Sequence, residues 1–257
     1  MNEKYRKYWN SLEAERGKAF NVTSKDDLKL LRWLREQTCL ERCFRDAMSY
    51  SHNHFGGIRG QVLDVGAGVC WSSAIMANLS SVEQVTAIDY SEHRLSLIAP
   101  IVLEQFGTNP SKVMRIEGDF HQYPFAENSF DVILFCQSLY MFPDLDSILK
   151  KVFSLLKPGG QLIATCERLV DSPCQLLKGG RIREFLFASR QLLLEKSGFT
   201  ESIIPADSSG RFSYRDRHYR KSISTAGLVY RYQPLDYALY PNVPVLAGNH
   251  FGLKGKE

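Results

Sequence analysis

Val62-Leu63-Asp64-Val65-Gly66-Ala67-Gly68-Val69-Cys70-Trp71 decides how this chain is read. A short apolar run, broken only by Asp64, ends in a turn with two glycines, and a helix-compatible stretch follows. Such a run bounded by glycine is a buried strand, and the change of period behind it makes a strand–turn–helix unit. Without a Cβ at the turn the backbone can pass close to a ligand. Gly-rich turns also serve packing alone, so these ten residues fix a local structure before they fix a function.

The same alternation runs outward from that unit. Residues 71–79 read as a helix, Gln84–Ile88 as a strand, Leu95–Phe106 as a helix, Val113–Glu117 as a strand and Phe130–Phe135 as a buried strand. Asp146–Leu156 reads as a helix that stops at Lys157-Pro158-Gly159-Gly160, with Gln161–Cys166 as a fifth strand. Strands alternating with helices predict an α/β fold, a doubly wound and mostly parallel sheet with helices on both faces. Upstream, the spacing of Leu28, Leu31, Leu34, Leu40, Phe44 and Met48 predicts one or two helices over 25–50, opened by Ser24 and Asp27 in capping-box form. Ser51–Gly60 reads as a loop. Downstream, Arg190–Ser197 reads as a helix and Glu201–Pro205 as a strand, and Gly210–Glu257 shows no clear period.

The 257 residues carry a net charge of +4, which hides an uneven division. Residues 1–60 hold 12 basic and 8 acidic side chains, 61–170 hold 7 and 12, and 171–257 hold 13 and 8. An acidic middle between basic flanks predicts different partners for different parts of the chain. With 44% hydrophobic and 23% charged residues the composition is that of a globular protein. No apolar run approaches the roughly 18 residues of a membrane helix, and the first residues lack the apolar stretch of a secretory signal. Cys39, Cys43, Cys70, Cys136, Cys166 and Cys174 are dispersed, with no CxxC pair, so no disulfide framework is expected. Cys39 and Cys43 share a helix face, but neither a nearby His nor a third Cys completes a metal set, and no metal is expected. Reduced, buried thiols place the chain in the cytoplasm.

Ligands of doubly wound sheets bind at the carboxyl ends of the strands. The second strand ends in Asp89, 21 residues after Gly68, where a carboxylate can accept both hydrogen bonds of a ribose diol. That much suits a nicotinamide dinucleotide or another nucleoside equally. A dinucleotide fingerprint wants a third glycine two or three residues after Gly68, where this chain has Cys70 and Trp71. Asp64, directly before the turn, would repel a pyrophosphate and attract an ammonium or sulfonium.

Five segments in register resemble the motifs of class I S-adenosylmethionine-dependent methyltransferases, particularly the small-molecule branch of methyltransferase type 11. They are Val62–Gly68, Ala87-Ile88-Asp89-Tyr90-Ser91, Gly118-Asp119-Phe120, Phe130–Asp144 and Leu156–Gly160, within residues 60–166. The resemblance implies a Rossmann-like sheet with an antiparallel last strand, N-terminal helices, and S-adenosylmethionine as cofactor with S-adenosylhomocysteine as product. It implies that Asp64, Gly66, Ala67 and Gly68 line the methionine half, that Asp89 holds the ribose and that Tyr90 lies against the adenine. Asp119 would accept from the adenine amino group, the Phe120 backbone would donate to the ring, and Cys136 and Gln137 would offer oxygen to the methionine ammonium. Cys70 departs from the motif, and a thiol at a helix N-terminus can be reactive or simply a small buried side chain.

Tyr140 stands where this branch often carries His, and it either touches the acceptor or packs. Glu167 and Arg168 follow the fifth strand, as acceptor contacts or as a surface ion pair. His52, His54, His121 and His218 are the histidines considered as bases, with Tyr140 and His218 the preferred catalytic candidates. Tyr5, Tyr8 and Trp9 would belong to a helix over the cofactor. Arg211, Arg215, Arg217, Arg220 and Lys221, interleaved with Phe212, Tyr214, His218 and Tyr219, form a basic stretch. It suits nucleic acid, a carboxylate or phosphate on a small acceptor (through Arg217), or solvent. The fourth motif, Cys136-Gln137-Ser138-Leu139, lacks the Asp or Asn followed by Pro-Pro-aromatic of base-amino methyltransferases, and nucleic acid is not the expected partner.

The expected protein transfers a methyl group to O or N of a small metabolite, expected to carry a carboxylate or phosphate, without a membrane partner and with an open oligomeric state. Residues 1–55 would form a helical lid, 56–205 the cofactor core and 206–257 a basic extension that completes the sheet and the acceptor pocket. The alternatives are an RNA or protein methyltransferase, a non-catalytic nucleoside binder and a nicotinamide oxidoreductase.

Overall fold

A computed structural model describes residues 18–167, 182, 186, 189, 190, 214, 216–234 and 248–256. Helix α1 (Lys29–Arg32) runs into a π-helical turn (Trp33–Gln37), and α2 spans Leu40–Phe55. Then come β1 (Gly60–Val65), α3 (Trp71–Ala77), β2 (Val82–Asp89), a π-helical turn (Arg94–Ile98) leading into α4 (Ala99–Gln105), β3 (Val113–Glu117) and β4 (Phe130–Cys136). The chain continues as α5 (Leu145–Leu155), β5 (Leu156–Thr165), α6 (Asp216–Thr225), β6 (Val229–Gln233) and β7 (Asn249–Leu253).

The seven strands lie in the order β3-β2-β1-β4-β5-β7-β6. Strands β1 to β5 are mutually parallel, and β7 pairs antiparallel with both β5 and β6. The order reverses between β1 and β4, where Val62 pairs with Val132 and Val65 with Phe135. That switch point opens a crevice at the carboxyl ends of the two strands. Successive strand residues face opposite ways. Val62, Val132 and Leu134 pack with α2, α3 and α4 on one face, while Leu63, Val65, Ile133 and Phe135 pack with α5 and α6 on the other. Burial on both faces explains why these strands read as continuous apolar runs.

Several boundaries differ from the sequence reading. Ser51–Gly60 was expected as a loop, but α2 continues through Phe55. Tyr50 and Phe55 stack on Phe251 of β7, and the Ser51 hydroxyl donates to Gln161 Oε1 at 2.7 Å. Ser24 and Asp27 do not form a capping box; the Asp27 carboxylate accepts from the Thr23 and Lys29 amides instead. Lys157–Gly160 is not merely a helix stop. It lies within β5, bulged between the pairs Phe130–Leu156 and Val132–Gln161, with Lys157 Nζ on Asp131 Oδ2 at 2.6 Å.

The stretch without an evident period holds α6 and two strands. Helix α6 buries Tyr219, Ser222 and Ile223 while Arg217, Arg220 and Lys221 face solvent. Beyond Arg190, which is helical, the expected helix to Ser197 and the strand Glu201–Pro205 lie outside the described residues, as do Tyr5, Tyr8, Trp9, Arg168, Arg211, Phe212 and Arg215.

Candidate functional site

The crevice at the switch point is a cleft lined from three directions. The glycine turn after β1 and the start of α3 give Val65–Val69, Trp71 and Ser72. The end of β2 gives Ile88, Asp89 and Tyr90, with Gly118 and Phe120 beyond β3. From the end of β4 come Cys136, Gln137, Ser138, Tyr140, Met141 and Phe142, and Lys18, Phe20 and Arg94 complete the lining. Its cavity volume is about 240 Å³, just below the roughly 300–1,000 Å³ of small-molecule sites.

The turn is built for close approach. Gly66 has φ +69° and Gly68 has φ +55°, in the left-handed region that favours glycine. A Cβ on Gly66 would stand 2.6 Å from Ser138 Cβ, so the turn and the end of β4 meet without space between them. The Ser138 hydroxyl donates to the Val65 carbonyl and locks the contact.

Asp89 secures the turn from the other side. Its Oδ2 accepts from the Gly68 amide at 2.8 Å and its Oδ1 from the Ser91 amide at 2.9 Å. The carboxylate is half-buried at the cleft wall and retains lone pairs for a ribose diol. Bare backbone at Gly66 and Gly68 and a fixed carboxylate beside it fit the nucleoside and amino-acid halves of S-adenosylmethionine.

The structural likenesses agree with this reading of the fold. A Synechocystis magnesium protoporphyrin IX methyltransferase with bound S-adenosylhomocysteine superposes with a TM-score of 0.62 at 14% identity, over 97% of this chain and 98% of that one. A Leishmania major S-adenosylmethionine-dependent methyltransferase gives 0.61 at 13%, over 98% and 82%. The family model for the methyltransferase domain matches residues 63–164.

Residues 63–164 are similar to the methyltransferase domain family, and the fold is that of the class I methyltransferases.

Curated relatives of this domain include the demethylmenaquinone methyltransferases of Staphylococcus epidermidis, 34% identical over 104 residues, and Listeria monocytogenes, 34% over 102. These alignments take in 40% and 39% of this chain and only 41% and 42% of the relatives, about two fifths of their length.

Gly66, Ala67, Gly68, Asp89, Tyr90, Phe120, Cys136, Gln137 and Tyr140 all line the cleft. Asp64 does not, contrary to expectation. It is 1% exposed behind the turn, where its Oδ2 accepts from the Ser72 and Ser73 hydroxyls at 2.8 and 2.6 Å and its Oδ1 has no partner. Burial pushes its carboxyl up to about 6 against the pull of the two hydroxyls. Asp119 also stays off the lining: its Oδ1 accepts from the His121 amide, and its neighbours Gly118 and Phe120 reach the cleft.

Glu167 is neither an acceptor contact nor half of a surface ion pair. It is fully buried, and its two oxygens accept from the Ser138, Leu139 and Tyr140 amides at 3.0–3.1 Å. Burial pushes its carboxyl up to about 8, while the three amides pull the other way. Arg217 is exposed on α6 and His218 lies edge-on to Tyr214; neither lines the cleft, because α6 packs on α5 and the β6–β7 edge. His52, His54 and His121 are exposed and also absent from the lining. Tyr214 and Tyr219 are core residues, so they offer no stacking surface to a nucleic acid. No metal-binding cluster occurs among the described residues, and none of their helices is long and apolar enough to cross a membrane.

Sequence reasoning missed Lys18, Phe20, Trp71, Arg94, Ser138 and Met141 as lining residues. Ser138 was legible in principle: it stands two residues past β4, at the switch point where ligands gather.

Proposed function

We propose that the chain is an S-adenosylmethionine-dependent methyltransferase that acts at O or N of a small molecule. The observation that carries this reading is the Asp89–Gly68 contact at the floor of a cleft framed by the glycine turn and the end of β4. S-adenosylmethionine supplies a methyl group on a sulfonium, which becomes a neutral thioether when the methyl leaves. The work left to the protein is to hold donor and nucleophile in line and to exclude water.

Asp89 would hold the ribose and Gly66 to Gly68 would admit the methionine half against bare backbone. Phe120 and Tyr90 would flank the adenine, and Cys136 and Gln137 would face the ammonium. Tyr140 is the titratable group of the β4 turn that lines the cleft, and it would meet the acceptor. A base is needed only where the acceptor loses its proton before or during transfer.

A carboxylate or phosphate on the acceptor would find Lys18 and Arg94 in the lining, in place of the Arg217 suggested by charge patterning. The demethylmenaquinone methyltransferases match over only about two fifths of their own length, so their acceptor does not carry over. The proposed location is the cytoplasm.

The experiment is incubation of the protein with methyl-labelled S-adenosylmethionine and fractionated extract of its source cells, read by mass spectrometry. A small metabolite gaining one labelled methyl supports the reading. Label confined to RNA or protein, or no labelled product in any fraction, contradicts it.

A further inference from the structure

We propose that Glu167, two residues beyond β5, is a positioning residue that shapes the cofactor cleft through the backbone of residues 138–140; the inference rests on the methyltransferase reading above. Gln137 has φ +58°, and its amide donates to the Thr165 carbonyl at 3.1 Å. This reversal aims the next three amides, Ser138, Leu139 and Tyr140, away from the cleft and toward the end of β5. They open the short 3₁₀ turn Leu139–Met141, whose first N–H groups lack partners within the turn. Glu167 takes all three: Oε1 accepts from Ser138 and Leu139, each at 3.1 Å, and Oε2 accepts from Tyr140 at 3.0 Å.

The residues so held are the ones that form the wall. Ser138 sits against Gly66 with no space for a Cβ and bonds the Val65 carbonyl, while Tyr140, Met141 and Phe142 line the cleft. One buried carboxyl group therefore fixes both the close approach of the β4 end to the glycine turn and the place of Tyr140. A fully buried acid is a poor choice for stability alone, since apolar packing commonly does as well or better. Here three N–H groups offset part of that cost, and the result is a defined cleft wall.

The test compares Glu167→Gln and Glu167→Ala with the wild-type full chain in S-adenosylhomocysteine calorimetry, well below every unfolding midpoint. Glu167→Gln keeps an oxygen for Ser138 and Leu139 but turns an NH2 group to the Tyr140 amide. An affinity loss of about three- to ten-fold is expected, against about 30-fold or more for Glu167→Ala, which leaves three buried amides unmet. Ile148→Val, in α5 on the same core face and away from the cleft, controls for stability: it should lower the unfolding midpoint and leave affinity unchanged. Partial retention by Gln separates positioning from packing, which Gln and Ala would disturb without that order. Wild-type affinity in both Glu167 variants, with the wild type binding, overturns this inference alone. A wild type that does not bind S-adenosylhomocysteine overturns the methyltransferase reading and this inference with it.

Discussion

The Asp89 carboxylate accepts the Gly68 amide at 2.8 Å and so ties the end of β2 to the turn that follows β1. The same group accepts from Ser91 at 2.9 Å, so one side chain organises two loops of the cleft. Asp89→Asn keeps one oxygen and sets an NH2 group against the other amide. Urea denaturation should show a loss of about 1–3 kcal/mol; an unchanged midpoint would mean that the turn holds itself.

Gly66 and Gly68 should respond differently to alanine. At Gly66 the new Cβ would stand 2.6 Å from Ser138 Cβ in addition to the left-handed φ. Overpacking and backbone strain together should cost about 2–4 kcal/mol and remove S-adenosylhomocysteine binding. At Gly68 the nearest atom is Arg94 Nη1 at 3.6 Å, leaving strain alone, about 1–2 kcal/mol. Equal losses at the two positions, measured by denaturation, would refute the packing argument.

Cys70 occupies the motif position where a glycine was expected, at φ +61° and fully buried. Burial raises its thiol, and the Asp64 and Asp89 charges push the same way, so the thiolate needed for reaction is suppressed. Iodoacetamide at pH 7.5 should leave Cys70 unmodified in the native protein and label it in urea, as peptide mass spectrometry would show. Rapid native labelling would restore the reactive-thiol reading.

Glu167 also predicts a pH dependence. Its folded pKa stands above the unfolded one, at about 8, so the folded state binds its proton more tightly. Stability from this group is present at low pH and is lost at about 1.4 kcal/mol per pH unit as pH rises through the window from about 4.5 to about 8. Glu167→Gln does not titrate there. The wild type minus variant stability difference should therefore shrink between pH 5.5 and 8 and then level off. A constant difference would place the carboxyl in its ordinary range.

The parallel half of the fold was legible because strands buried on both faces show as apolar runs: Val113–Glu117 matches β3, and β1, β2 and β4 differ only at their ends. The antiparallel edge was not. Helix α6 carries its apolar face on only Tyr219 and Ile223 among charged and polar residues, and β6 has no fully buried residue, so neither gives a strong period. In the site, glycines and Asp89 were readable because strand-end position and residue type coincide. Glu167 and Asp64 were misread because a carboxylate at a strand end has the same letter whether it faces a ligand or backs onto amides and hydroxyls. Burial alone distinguishes them, and burial belongs to the folded chain.

Calorimetry of S-adenosylhomocysteine with the wild type and Asp89→Ala tests the central claim most directly. The wild type should bind, and the variant, which loses both amide contacts and the proposed ribose acceptor, should bind about 100-fold or more weakly. No binding by the wild type, or equal binding by both proteins, would contradict the assignment of this cleft.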